Sequence, residues 1–186
     1  MTALIALGAN LPNRENPPAD TLKSALAALT GRGLTVQSVS RFFATPCFPA
    51  GAGPDYVNAA AAVSVPAGTT ANDILAHLLA VEKDFGRERK QRWGMRTLDL
   101  DLIAWGDQVL PDRGDFEYWH GLDPALQAKA APDRLILPHP RLQDRAFVLV
   151  PLADVAPAWC HPVLGLTVSQ MLEALPEADR RSVVPL

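Results

Sequence analysis

The sequence predicts an α+β domain in which two helices back an antiparallel sheet, in the order β-α-β-β-α-β. Three observations lead there. Segments 17–29 and 69–86 repeat aliphatic residues at helical spacing. Segments 34–45 and 57–65, between those helices, and 97–105, after them, read as extended runs. An apolar run, LIAL at 4–7, stands ahead of the first helix and is stopped by Gly8.

LIAL reads as a buried first strand. In PPADTLKSALAAL (17–29), Leu22, Leu26 and Leu29 recur at helical spacing. Asn16 is the expected N-cap, with Pro17 at the first helical position, and Gly31 and Gly33 end the helix. LTVQSVSRFFAT (34–45), rich in β-branched and aromatic residues, predicts a strand. The prolines and glycines of TPCFPAGAGPDY (45–56) predict a loop. VNAAAAVSV (57–65) predicts a strand from its flanks. Ile74, Leu78, Val81 and Phe85 stripe the second helix, and Gly86 caps it. A charged loop then leads to the strand 97–105. Its period of two sends Leu98, Leu100 and Leu102 to the core and Asp99, Asp101 and Ile103 to the other face. This is the split β-α-β arrangement of ferredoxin-like domains, with residues 1–186 as one domain carrying a C-terminal extension. Within the extension, 107–133 predicts an irregular, aromatic-bearing stretch, 143–153 a helix and 167–175 a short closing helix.

Composition narrows the function. The 186 residues are 48% hydrophobic and 20% charged, ordinary for a globular chain. A net charge of −3 argues against nucleic acid as a partner. Cys47 and Cys160 fall in no metal or redox spacing, which fits a reducing, cytoplasmic setting. The N-terminus has no signal-peptide pattern, and no apolar run approaches the ~18 residues that a membrane span needs.

Asp99 and Asp101 stand about 6.5–7 Å apart at Cα on one strand face, like charges side by side. Alone, such a pair reads as a solvated strand face. The loop before it changes the reading: Arg87, Arg89, Lys90, Arg92 and Arg96 face a single acid, Glu88. Guanidinium groups suit phosphate oxygens. Magnesium takes one or two carboxylates plus substrate phosphates, and neighbouring acids can hold two ions about 3.5–4 Å apart. The combination predicts a triphosphate with Mg²⁺. No GxxxxGK[ST], GxGxxG or GxSxG motif is present, and His77, His120, His139 and His161 have no zinc spacing.

GRERKQRWGMRTLDLDLIAWG (86–106) resembles the signature of the 6-hydroxymethyl-7,8-dihydropterin pyrophosphokinase family of the folate pathway. ALGANLPNR (6–14) is similar to its opening segment, with Ala9 in place of the usual serine. ATPCFPAGAGPDYVNAA (44–60) and LILPHPRLQDRAFVLVPLADVAP (135–157) resemble two further motifs, so the likeness covers nearly the whole chain. The resemblance implies ATP as co-substrate, two Mg²⁺ ions held by Asp99 and Asp101, and loop arginines Arg87 and Arg96 in the catalytic step. It implies ATP contacts from Glu82, Arg87, Arg89, Arg92, Arg96, Arg134, His139 and Arg145. It implies a pterin pocket of Thr45, Pro46, Phe48, Tyr56, Asn58, Trp93, Asp99 and Phe147. The 6-hydroxymethyl oxygen would attack the β-phosphorus of ATP, with AMP leaving and the protein acting as a monomer.

Two features depart from the family pattern. The arginine loop is one residue shorter between Arg89 and Trp93, and 111–133 looks like an insertion. The insertion reads as a surface excursion, or else Phe116, Tyr118 and Trp119 pack over the nucleotide side or against a neighbouring domain. Ile136 stands where the family often has a polar nucleotide contact. The 44–56 and 86–96 loops lack apolar anchors and are expected to be mobile until substrates close them. One rival reading is an RNA-binding module of the same topology, but the strand at 57–65 offers alanines rather than stacking aromatics. Another is a different Mg²⁺-dependent nucleotide transferase, which product analysis would separate.

Overall fold

Seven elements build the first part of the chain in order: β1 (Thr2–Ala9), α1 (Pro18–Gly31), β2 (Thr35–Val39), β3 (Phe43–Thr45), β4 (Tyr56–Ser64), α2 (Ala71–Asp84) and β5 (Asp99–Trp105). The computed structural model describes residues 1–13, 16–47, 53–86, 97–123, 126 and 130–186. β1 runs through the middle of the sheet, antiparallel to β4 on one side and β5 on the other. β2 and β3 both pair antiparallel with β4. The result is the expected ferredoxin-like sheet.

Local chemistry sets the boundaries. α1 begins one residue later than its first proline predicts: Pro17 is the N-cap, without a side-chain cap bond, and Pro18 takes the first helical position. Asn16 instead exchanges two backbone hydrogen bonds of 3.0 Å with Asn13. The strand predicted over 34–45 is broken at Ser40. Its N–H still donates to the Ala60 carbonyl at 2.9 Å, but the returning Ala60 N–H goes to Ser40 Oγ at 2.8 Å, and the hydroxyl donates to the Arg41 carbonyl at 2.7 Å, so a side chain takes over half of the ladder there. α2 opens on a capping box between Thr70 and Asp73, and Gly86 follows its end at φ +74°.

The stretch expected to be irregular contains a helix, α3 (Arg113–Gly121), whose N-cap Asp112 accepts the Asp115 N–H at 2.9 Å. It has one fully buried side chain, Phe116, and therefore no apolar stripe for periodicity to detect. A 3₁₀ turn at Leu142–Asp144 then delays α4 (Ala146–Val155) by three residues relative to the expected start. α5 (Val168–Ala174), α6 (Glu177–Arg181) and β6 (Val184–Pro185) complete the chain, β6 pairing with β3. Among the described residues no helix is long and apolar enough to cross a membrane.

Each face of the sheet has its own core. Ile5, Leu7, Leu98, Leu100 and Leu102 pack against Leu22 and Leu29 of α1 and Ile74, Leu78 and Val81 of α2. Leu4, Ala60, Ala62 and Ile103 on the opposite face pack against Leu149 and Leu152 of α4 and Val168 and Met171 of α5. That second face is covered only in part, and Ala6, Tyr56, Asp99 and Asp101 on it remain partly exposed.

His161 is fully buried on this side, its Nδ1 accepting the N–H groups of Val163 and Leu164 at 3.2 Å. Burial, and next the nearby His120, push its pKa from 6.5 down to about 4. Between those two values the unfolded chain binds the proton more tightly, so stability is complete above pH 6.5 and falls as pH drops toward about 4. Wild type should lose on the order of 2 kcal/mol more than His161→Gln between pH 7 and pH 4.5 in urea denaturation. Parallel losses in the two proteins would exclude the buried imidazole as the cause.

Candidate active site

Strand register assembles the site. Gly8 of β1 lies opposite Asp99 of β5 on one side and Asn58 of β4 on the other. Ala6 lies in the same way between Asp101 and Ala60. On β3, Phe43 is opposite Asn58 and Thr45 opposite Tyr56. Residues opposite one another share a face, so Asp99, Asp101, Gly8, Asn58, Tyr56 and Thr45 form one floor beside the end of α4. At about 4.8 Å per strand, Asp99 and Asn58 are separated by roughly 9.6 Å. Only a glycine lies between them. A Cβ built on Gly8 would come within 2.9 Å of Asn58 Oδ1, so the gap depends on its absence.

Buried polar contacts hold the floor. Asn58 donates from Nδ2 to Thr45 Oγ1 at 2.6 Å, and both residues are buried. The rest of the amide keeps donor and acceptor capacity for the edge of a planar ring. Asn10 ties the end of β1 to the loop before β4 through the Pro54 carbonyl at 3.1 Å. Glu82 lies one turn past Leu78 on the buried stripe of α2 and is only 2% exposed. Its carboxylate accepts the Leu100 N–H at 2.8 Å. β5 is an edge of the sheet, so α2 satisfies an edge amide lying between the two aspartates and fixes their strand.

His139 and Arg145 stand near the aspartates. The His139 N–H donates to the Ile103 carbonyl at 2.8 Å, which docks this segment on β5. Burial, then the Arg145 guanidinium, push the His139 pKa down to about 3, so the ring is neutral. Its Nδ1 accepts the Arg141 N–H at 3.1 Å, which leaves the ring proton on Nε2. That Nε2 faces Arg145 Nη1 at 3.5 Å, so two donors converge where an anion would satisfy both. Burial lowers the Arg145 pKa, against the opposing pull of Asp101. The Arg145 guanidinium also lies 5.8 Å from the ring centre of Phe147, which is 43% exposed at the start of α4 rather than part of the core.

The structure thus brings together Thr45, Tyr56, Asn58, Asp99 and Asp101 on one floor, with Glu82 behind it and His139 and Arg145 beside the acids. Pro46 is exposed next to Thr45. Arg134 pairs with Asp133 at 3.2 Å and with Asp115 of α3 at 3.6 Å. Phe48, Arg87, Arg89, Arg92, Trp93 and Arg96 lie outside the described residues, as do the parts of both expected mobile loops at 48–52 and 87–96. Among the described residues no cluster of three or more His, Cys, Asp or Glu is present. Two carboxylates on one partly exposed face are nevertheless the small, hard donor set that Mg²⁺ uses beside substrate oxygens. Gly8 and Asn10 are not among the site residues expected from sequence. The signal for Gly8 exists only once β1 is paired on both edges.

Residues 4–157 match the family described as 7,8-dihydro-6-hydroxymethylpterin-pyrophosphokinase. The chain is 37% identical over 185 residues to a 2-amino-4-hydroxy-6-hydroxymethyldihydropteridine pyrophosphokinase of Synechocystis, covering 99% of this chain and 80% of the relative. It is 32% identical over 157 residues to the protein of that name from Haemophilus influenzae, covering 84% and 82%. A Plasmodium falciparum HPPK-DHPS crystal structure superposes with a TM-score of 0.62 at 13% identity, over 92% of this chain and 44% of that one. The last likeness concerns the fold.

Proposed function

Because the chain belongs to the 7,8-dihydro-6-hydroxymethylpterin-pyrophosphokinase family, we propose that it moves a pyrophosphoryl group from ATP to 6-hydroxymethyl-7,8-dihydropterin in folate biosynthesis. The observation that carries the reading is the single floor on which Asn58 and Thr45 face the aspartate pair across Gly8. A pterin lies on this floor between Tyr56 and Phe147, and Asn58 reads its polar edge. Pro46, Phe48 and Trp93 complete the pocket, and Asp99 reaches the hydroxymethyl end. The triphosphate lies against His139 Nε2–H and Arg145, with Arg87, Arg89, Arg92, Arg96 and Arg134 as further cationic contacts. Glu82 acts on the nucleotide by fixing β5.

Asp99 and Asp101 would hold two Mg²⁺ ions, which neutralise phosphate charge when bound. The substrate hydroxyl oxygen forms a bond to the β-phosphorus, and the bond from that phosphorus to the α,β-bridging oxygen breaks. AMP departs with the electron pair, and the hydroxyl proton passes to solvent. Transfer of this kind asks the protein for alignment and charge neutralisation. Arg87 and Arg96 supply charge at the reacting phosphates. Incubation with ATP, Mg²⁺ and the hydroxymethyldihydropterin should yield AMP and a pyrophosphorylated pterin in equal amounts. ADP or free pyrophosphate as the stoichiometric product would overturn the assignment.

A further inference from the structure

The inserted helix α3 is bolted to the molecule by Phe116, which is fully buried. The Phe116 ring stacks on His120 at 5.5 Å and meets His161 at 5.2 Å between centroids. The loop carrying His161 is itself fixed, because Trp159 Nε1 donates to the Gly106 carbonyl at 2.9 Å just past β5. α3 therefore has a rigid base.

Further ties connect α3 to the chain around 134–143. His120, four residues after Phe116, lies with Nδ1 3.1 Å from Gln143 Nε2. The same Nε2 donates to the Pro140 carbonyl at 3.2 Å. Asp115 pairs with Arg134, and the chain entering α3 is bridged at Leu110 to Leu137 by two backbone bonds of 2.9 and 3.0 Å. Gln143 sits in the 3₁₀ turn between His139 and Arg145, the two donors that converge on the anion position. The joint is polar where packing alone would favour hydrocarbon. Gln143 Oε1 and His161 Nε2 are buried without a hydrogen-bond partner among the described residues, an arrangement that apolar side chains would avoid.

We propose that α3, acting through the His120–Gln143 contact, is a positioning element for the 139–145 turn and so sets affinity for the polyphosphate of the nucleotide. This rests on the pyrophosphokinase reading for the identity of the nucleotide. His120 touches no substrate; it orients the turn that does. Pterin binding, which uses the other end of the floor, is independent of it.

The test compares wild type, His120→Ala, Gln143→Ala, the double variant and His120→Asn, whose side-chain oxygen can still accept from Gln143. The readouts are KM for ATP and for the pterin, kcat, thermal midpoint, and calorimetric affinity for a non-hydrolysable ATP analogue with Mg²⁺. Each alanine should weaken analogue binding and raise KM for ATP about fivefold, leaving kcat and the pterin KM unchanged. The double variant should be no worse than Gln143→Ala, since both remove one contact, and His120→Asn should recover most of the affinity. Wild-type analogue affinity in both alanine variants overturns the proposal. So does an equal rise in both KM values, which would mean general loosening. Absence of AMP from the wild-type protein would instead count against the pyrophosphokinase reading, while the calorimetric comparison would still decide the role of α3.

Discussion

Asp101→Ala loses about 10³-fold or more in kcat, on the order of 4 kcal/mol of barrier, while its thermal midpoint stays within a few degrees of wild type. The two halves of that result have separate causes. Asp101 is partly exposed on the floor, beside Asp99 on the same strand face, and like charges at that spacing repel. Removing one relieves the repulsion, whereas Arg145 loses a countercharge that now supports its ionised form. The two effects oppose each other and stability changes little. Under the proposed function catalysis has no such compensation, because the acid's charge is called on only when polyphosphate and magnesium are present. Asp101→Asn keeps the shape and loses the charge, so it should fail nearly as badly as alanine. Asp99→Ala should lose turnover similarly and raise the pterin KM as well. AMP release in saturating Mg²⁺ at a tenth of the wild-type rate would remove the metal-holding role from Asp101.

The place of this pair, on the face of β5 away from the leucines, was legible in the sequence from the period of two. Leu98, Leu100 and Leu102 declared one face of β5 as core, and the structure places all three against α1 and α2. What stood on the opposite face then needed an explanation from chemistry. The helices were legible for the matching reason, since their aliphatics recur along one stripe. The readings missed where a side chain or a pairing partner outside the local window decides the outcome. Ser40 ends a strand by lending its hydroxyl to Ala60, which no β-propensity encodes. α3 is fixed by one aromatic and a polar cap, too little for a periodic signal. Two consecutive prolines both suit a first helical position, so the cap of α1 shifted by a residue. In the site, Asn58 and Thr45 entered through the family resemblance alone, as their hydrogen bond joins residues 13 apart on two strands. Glu82 entered through the resemblance as a nucleotide contact, and its bond to β5 was not legible because the partner is a backbone amide on another element.

Register rather than residue type alone makes Gly8 the gap between Asn58 and Asp99. Gly8→Val should raise the pterin KM about 10²–10³-fold, roughly 3–4 kcal/mol, with ATP-analogue affinity unchanged. The first added carbon already lies 2.9 Å from Asn58 Oδ1 and 3.9 Å from Tyr56 Cδ1. Asn58 has little room to withdraw, being buried and bonded to Thr45 at 2.6 Å, so yielding means breaking the contact that orients its amide. The two methyls beyond that carbon then stand on the floor between Asn58 and Asp99, where the heterocycle must lie flat. Backbone strain is not the cause, since Gly8 is not among the glycines with positive φ and valine favours strands. The nucleotide side is spared because the added methyls stand toward Asn58, while Asp101 lies in the next row, opposite Ala6. Gly8→Ala should give a smaller effect of the same kind. An unchanged pterin KM in the valine variant would remove the floor from the binding site. Equal loss of both substrates would instead assign the defect to β1, which both rows share.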